Sequence, residues 1–295
     1  IVVSKAEHHS VLLPFQELAA RTGASLKWFD LDDEGRIRSD SADEVITERT
    51  KIVAVTHVGN TTGAITDIAP IIRRAHEVGA VFILDACQSV PHLKVDFHAL
   101  DVDFAAWSAH KMYGPTGVGF LYGKRDMLEA LPPANFGGSM VELAWMDQEA
   151  RYMEPPARFE AGTRPVAQVV AAGVAADWLM AIGMENLEAH ERTITDELLA
   201  LGDIEGVRIL GPRSNERRIG TIAFEVEGVH PHDVGQFIDA QGIAIRVGHH
   251  CAQPVHRHFG VYASNRASSG IYNAVEDAQA LIETVKQVRP FFGVK

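Results

Sequence analysis

Lys111 lies just past a strand-like run, Val102 to Trp107, in the stretch Ser108-Ala109-His110-Lys111-Met112-Tyr113-Gly114-Pro115-Thr116-Gly117. A second strand-like run, Val118–Tyr122, follows it. A lysine delivered to a strand end between glycine turns puts an amine at the rim where α/β sheets bind ligands. Desolvation lowers a lysine's pKa, and the neutral amine is a good Schiff-base former. A lone lysine after an edge strand reads better as a surface residue, so its neighbours must decide.

Asp85 ends the apolar run Ala80–Leu84, in Leu84-Asp85-Ala86-Cys87-Gln88-Ser89. An ionised carboxylate there needs a cation or strong hydrogen bonds. A protonated pyridine nitrogen is such a cation, and an Asp on it maintains the electron sink of pyridoxal 5'-phosphate (PLP). Taken alone, Asp85 is equally an aspartate capping the next turn. Lys111 follows it by about 25 residues, one strand–crossover–strand step. The two can therefore hold the two ends of PLP. Ser108 and His110 offer donors to its phosphate. Gln88, or Asn60 in His57-Val58-Gly59-Asn60-Thr61-Thr62-Gly63, can hydrogen-bond the ring oxygen. In Glu7-His8-His9-Ser10 a histidine can lie flat over the ring, although a polar turn before a helix explains both histidines as well.

A second stretch is Arg246-Val247-Gly248-His249-His250-Cys251-Ala252-Gln253-Pro254. Histidines and arginines near a thiol raise its thiolate fraction, which suits nucleophilic attack. Adjacent His-His-Cys ligands fit a tetrahedral zinc poorly, so a metal reading ranks lower. Arg266, in Asn265-Arg266-Ala267-Ser268, is a candidate bidentate clamp for an amino-acid carboxylate, or else a surface arginine.

These groups need a scaffold. Strand signals at Ile1–Ser4, Ser25–Leu31, Lys51–Val58 and Ala80–Leu84 alternate with helical patterns at Ser10–Arg21, Asp40–Glu48 and Asp67–Val78. The rhythm predicts a mostly parallel sheet with helices on both sides. From Leu131 to Thr163 prolines and glycines mark a long irregular region, the kind that is functional or contacts a partner. Two helices follow, Gln168–Ile182 and Glu185–Leu201. The remainder reads as a smaller α+β unit. It has strands near Gly220–Val226, Ala244–Val247 and Arg266–Tyr272, a helix at Pro231–Gln241, and a last helix from Asn273 that ends before Pro290. The expected division is a large PLP-binding domain, 1–182, and a small domain, 183–295, carrying the cysteine loop.

The 295 residues are 46% hydrophobic and 22% charged, which suits a globular protein of one large or two ordinary domains. The formal net charge of -12 argues against general nucleic-acid binding. No apolar run approaches the ~18 residues of a membrane span. Two cysteines fit a reducing cytosol rather than a disulfide scaffold. No Cys-x-x-Cys or His-Glu-x-x-His spacing points to structural zinc. The chain opens without Met in a strand-like run, so it reads as beginning inside a longer protein.

The motifs Ser-Ala-His-Lys-Met-Tyr-Gly-Pro-Thr-Gly, Asp-Ala-Cys-Gln-Ser, Phe159-Glu160-Ala161-Gly162-Thr163 and Arg-Val-Gly-His-His-Cys-Ala-Gln-Pro together resemble the class V aminotransferase family. They are most similar to its SufS-like, group II cysteine desulfurases, over essentially the whole chain. The resemblance implies a homodimer of PLP fold type I, with a seven-stranded, mostly parallel sheet. It implies conversion of L-cysteine to L-alanine, with the sulfur left as a persulfide and passed on for iron–sulfur cluster assembly. By position, Lys111 would carry PLP and Asp85 its pyridine nitrogen. Gln88 would meet the ring oxygen, His8 would stack on the ring, and Asn60 would lie near ring and substrate. Ser108 and His110 would hold the phosphate, and Thr163 the phosphate in the other subunit. Arg266 would hold the substrate carboxylate, and Cys251 would be the sulfur nucleophile.

The short cysteine loop implies a dedicated acceptor, SufE-like or SufU-like. His232, in His230-Pro231-His232-Asp233, would reach the zinc of a SufU-like acceptor. A plain helix start with Asp233 near the positive dipole end explains that element too. Family members carry a Gly-Thr-Thr phosphate-binding turn in a segment before the strand matched by Ile1–Ser4, and the 295 residues do not include it. Selenocysteine lyase is the alternative activity. An inactive fragment or non-catalytic scaffold is the alternative of another class.

Overall fold

The structure is a computed structural model and describes residues 1–294. Its first half alternates strand and helix. Strand β1 (Val2–Ser4) leads to helix α1 (His9–Thr22), then β2 (Lys27–Phe29), α2 (Ala42–Val45), β3 (Ile52–Thr56), α3 (Ala69–Glu77) and β4 (Val81–Asp85). β5 (Phe104–Ser108) and β6 (Gly119–Gly123) follow. The six strands form one sheet in the order β2-β1-β3-β4-β5-β6. All neighbours are parallel except β5 and β6. This is the expected mostly parallel sheet, with six strands among the described residues rather than seven.

The middle of the chain is less regular. It holds α4 (Arg125–Ala130), the short pair β7 (Val141–Leu143) and β8 (Arg151–Tyr152), and the long helix α5 (Val166–Ile182). Gly183, at φ 87°, breaks the chain between α5 and α6 (Met184–Leu198), which meet at 78°. No single described helix is long and apolar enough to cross a membrane.

The last third builds an antiparallel sheet, ordered β11-β12-β10-β9, from β9 (Val207–Leu210), β10 (Thr221–Val226), β11 (Arg246–Gly248) and β12 (Ser264–Ser268). Helices α7 (Pro231–Asp239), α8 (Gln253–His258) and α9 (Val275–Phe291) complete it. β12 stops earlier than expected, because its pairing with β10 ends at Thr221 opposite Ser268 and a turn closes from Asn273 N–H to the Gly270 carbonyl. Pro290 lies inside the last turn of α9 rather than beyond it. There a missing N–H removes one bond from a helix that is already ending. The expected helix at Asp40–Glu48 amounts to a short 3-10 turn and one α turn.

Apolar strand runs, buried almost throughout in β1, β3 and β10, build the cores. Phe29, Val53, Val55, Phe82, Leu84 and Ile71 fill the space around the parallel sheet. Leu210, Ala223, Val255 and Phe259 from the last third pack into this same core. A second core joins Ile222, Phe224, Leu281, Val285 and Ile194.

The two units also meet backbone to backbone. Gly63, at φ 70°, lies so close to the carbonyls of Thr221 and Ile219 that a Cβ would stand 2.4 Å and 2.8 Å from them. Only glycine fits both the turn and the approach. Beside it the buried Arg218 donates to the carbonyls of Thr62, Pro212 and Thr221.

Phe82 is fully buried in β4, with its N–H held by the Asp103 carboxylate at 2.7 Å. Phe82→Ala is expected to cost about 3–5 kcal/mol. A clear fall in the urea midpoint of the large unit checks this.

Candidate active site

Parallel strands end on the same side of a sheet, so their C-terminal loops share one rim. β1 leads to Glu7 and His8, β3 leads to Asn60, β4 ends in Asp85 and leads to Gln88, and β5 ends in Ser108 and leads to Lys111. Lys111 closes a 3-10 turn between β5 and β6. The facing wall comes from the last third of the chain: Arg246 and Val247 of β11, the His249–Cys251 turn, and Arg266 of β12. Between them lies a cleft of about 580 Å³, lined by these residues and by His8, His9, Asn60, Gln88 and Lys111.

Direct hydrogen bonds join the two walls. The Asn60 side-chain amide donates to the His250 carbonyl at 2.7 Å, and Arg266 donates to the Asn60 carbonyl at 2.9 Å. The His9 N–H donates to the Cys251 carbonyl at 2.7 Å. Cys251 is exposed to the cleft, and it and His250 both hold positive φ, 55° and 50°. That conformation is uncommon away from glycine and needs support from its surroundings.

Charge is unevenly compensated around the rim. Among the described residues Lys111 has no ion-pair partner. Burial, then the nearby Lys111 charge, pushes the His8 imidazole below its ordinary value, so His8 is neutral at pH 7. His8 Nδ1 lies 2.7 Å from the Ser10 hydroxyl and accepts the Ser10 N–H at the start of α1. One oxygen of Asp85 accepts the Cys87 N–H at 2.9 Å. Burial, reinforced by Asp85, lifts the Cys87 thiol to about 11, which leaves it protonated and a packing residue. Burial pushes the Arg266 guanidinium down, and its Nε is buried without a hydrogen-bond partner. A buried guanidinium with an unused donor is suited to an incoming carboxylate.

The sequence-derived candidates divide into three groups. Lys111, His8, Asn60, Gln88, Cys251 and Arg266 line one cleft. Asp85 and Ser108 stand at its strand ends, with Ser108 Oγ 3.9 Å from Cys87 Sγ. His110, Thr163 and His232 are exposed and do not line the cleft.

Two lining residues have placements that sequence reading does not give. Arg246, read only as a charge near the thiol, sits directly opposite Arg266 in the β11–β12 register, so the cleft holds two guanidiniums. His9, read with His8 as a candidate to cover the ring, instead ties down the cysteine loop, through its backbone N–H and through its Nε2, which accepts the Gln253 N–H at 3.3 Å.

The class V aminotransferase profile matches residues 1–281. The chain belongs to the class V aminotransferase family. It is 49% identical over 294 residues to the probable cysteine desulfurase 2 of Mycobacterium leprae, covering 99% of this chain and 70% of that one. The probable cysteine desulfurase of Streptomyces coelicolor is 47% identical over the same extent. Among solved structures, the cysteine desulfurase CsdA of Escherichia coli superposes with a TM-score of 0.93 at 36% identity, covering 98% of this chain and 72% of that one. The protein is thus a PLP-dependent enzyme of the cysteine desulfurase kind within the class V family, and the α/β architecture is that of PLP fold type I. The residues present fit the cofactor: an amine without a counter-charge, a strand-end carboxylate and a neutral imidazole meet at one rim.

Glu7 lies beneath this rim and was not singled out by the sequence. It is fully buried, accepts the Thr56 N–H at 3.0 Å and the Ser4 hydroxyl, and has one oxygen without a partner. Burial lifts its carboxyl to about 8, with the Asp85 charge adding to the rise. A raised acid pKa favours folding fully below the ordinary value, near 4.5, and that contribution is lost as pH climbs towards 8. Glu7→Gln should therefore flatten the fall of melting temperature between pH 5 and pH 8. Parallel melting curves of the two proteins test it, and an unchanged slope contradicts the assignment.

Proposed function

We propose that this protein is a SufS-like, group II cysteine desulfurase that removes sulfur from L-cysteine, releases L-alanine and carries the sulfur as a persulfide on Cys251. The observation that supports it best is the single cleft in which the Lys111 amine, the Arg266 guanidinium and the Cys251 thiol meet. When bound, PLP supplies an electron sink next to the substrate's Cα.

The chain's own residues do the rest. Lys111 holds the cofactor and moves the Cα proton. The Asp85 carboxylate keeps the pyridine nitrogen protonated, and His8, held neutral, stacks on the ring. Gln88 and Asn60 donate to the ring oxygen. Ser108 and His110 take the phosphate, and Thr163 takes that of a second subunit. Arg266 clamps the substrate carboxylate. The Cys251 thiolate then attacks the substrate sulfur. The new S–S bond forms as the substrate's Cβ–S bond breaks. The bonding pair stays with the carbon fragment, which takes a proton and leaves as alanine.

The short loop supports the group II reading, because Cys251 sits between the end of β11 and the start of α8 with its carbonyl tied to α1. A tethered thiol cannot carry sulfur far, so a SufU-like or SufE-like acceptor must come to it, on the way to iron–sulfur clusters. His232, exposed at the start of α7 and stacked on His230 at 5.5 Å, is the proposed contact for such an acceptor. The exposed face of α5, with Val166, Val170, Val174 and Trp178 at four-residue steps, supports a homodimer, as do the exposed Phe136, Trp145 and Met146. Clusters of exposed large apolar side chains mark interfaces. The bend at Gly183 supports dividing the chain into a PLP-binding unit, 1–182, and a smaller one, 183–295. Two free cysteines suit a reducing cytoplasm.

The deciding experiment follows alanine release and persulfide on the PLP-loaded enzyme. Cys251→Ala should abolish persulfide and acceptor-dependent turnover while the cofactor band near ~420 nm persists, a band that Lys111→Ala removes. Alanine and persulfide formation at normal rates in Cys251→Ala would overturn the reading. A preference for selenocysteine with little turnover of cysteine would favour the lyase alternative.

Arg266→Lys tests the clamp: KM for cysteine should rise roughly tenfold or more, since a lysine cannot donate bidentately. His232→Ala should remove the stimulation of turnover by a SufU-like acceptor. Undiminished stimulation would exclude it from that contact.

A further inference from the structure

We propose that His256 and Ser264 are positioning residues that hold the Cys251 turn in its left-handed conformation through a directional hydrogen-bond relay ending on His250. The proposal rests on Cys251 being the sulfur nucleophile, as argued above. Neither residue lines the cleft, and neither belongs to a motif that marks the site.

The geometry fixes the direction of every bond. His256 lies on α8, is 2% exposed, and has both ring nitrogens engaged. Its Nδ1 lies 3.0 Å from the Ala252 carbonyl, which can only accept, so Nδ1 carries the proton. Burial pushes the His256 imidazole below its ordinary value, so the ring is neutral and Nε2 is bare. Nε2 lies 2.9 Å from the fully buried Ser264 hydroxyl and must therefore accept from it. With its one proton committed, Ser264 Oγ can only accept from His250 Nε2 at 3.1 Å. His250 is also held neutral, pushed down to about 3 by burial, with Arg266 adding to the effect, so its proton resides on Nε2. No other assignment of protons satisfies all three contacts.

The relay grips the turn from both sides of the thiol. One end holds the side chain of His250, the residue before Cys251. The other holds the carbonyl of Ala252, the residue after it. The backbone between them is the strained pair at φ 50° and 55°. Asn60 and His9 hold the strained pair from the opposite wall, through the carbonyls of His250 and Cys251. Asn60 and His9 fix where the turn sits, and the relay fixes how it is twisted. The twist aims the thiol, and a misplacement of about 1 Å at a reacting atom can cost a hundredfold in rate.

The test uses the PLP-loaded enzyme with Ser264→Ala, which removes the bridge, and His256→Asn, whose amide can still donate to the Ala252 carbonyl but cannot reach Ser264. Each should lower kcat for alanine formation about tenfold with KM for cysteine within about twofold, because Arg266 and the cofactor rim are untouched. The double variant should be no slower than the worse single one, since both break the same chain. Amide hydrogen exchange at Ala252 and Gln253 should speed up in both, a readout independent of turnover. Wild-type kcat and exchange in both singles, or a double variant slower by the product of the two, would overturn the relay. Mass mapping of the persulfide separates the two claims. Wild-type enzyme with no persulfide on Cys251 would refute the nucleophile reading, whereas persulfide formed on Cys251 at undiminished rate in both variants would refute the relay alone.

Discussion

The cleft has two walls from distant parts of the chain, and Asn60 is where they are joined. Its side chain donates to the turn that presents the thiol, and its carbonyl accepts from the guanidinium that faces the amine. Two hydrogen bonds on one residue thus tie the cysteine turn and Arg266 to the wall that carries Lys111. They are effective because the units beneath them are already docked. Gly63 allows backbone to approach backbone, and Arg218 fills the seam with donors aimed at carbonyls from both sides. A buried guanidinium without a carboxylate partner is costly in isolation, and multiple carbonyl acceptors offset that cost.

Electrostatics and packing divide the labour. The rim carries several groups that burial keeps uncharged: His8, Glu7, Cys87, and His57, pushed down to about 4. Neutral neighbours leave the guanidiniums of Arg246 and Arg266 without a competing carboxylate in the cleft lining. Hydrogen bonds to neutral groups also have direction, which is why the tautomers around Cys251 can be read from contacts once burial has made the rings neutral.

Much of this was legible in the sequence. Apolar runs ending in Asp85 and near Lys111 mark parallel strands whose ends bear polar side chains, and a parallel sheet gathers such ends by construction. Helices α3 and α9 were visible from their periodicity, and α5 from its long Ala-rich apolar run. What sequence could not show depended on pairing across the fold. Arg246 reads in sequence only as a charge near the thiol, and strand pairing sets it opposite Arg266. His256 reads as an ordinary polar residue in a His-rich segment until Ser264 is brought against it. Glu7 reads as part of a polar turn, and its burial follows from the closeness of β1 and β3. The strand β9, the pair β7–β8 and the helices α4 and α8 are too short to give a periodic signal.

The position of Lys111 also orders the assembly of the molecule. The lysine occupies the turn of the one antiparallel pair in the large sheet, where β5 and β6 meet through a short local connection. Local pairs close at small entropic cost, whereas the neighbours of β4, β3 and β1 must wait for crossovers. The Asn60–His250 contact spans 190 residues and the Gln253–His9 contact 244, so both close long loops around the site. On topology alone, the amine's turn forms early, the carboxylate and imidazole join it as the sheet grows, and the thiol arrives last. A folding chain therefore displays its reactive lysine well before it possesses a cleft able to restrain it.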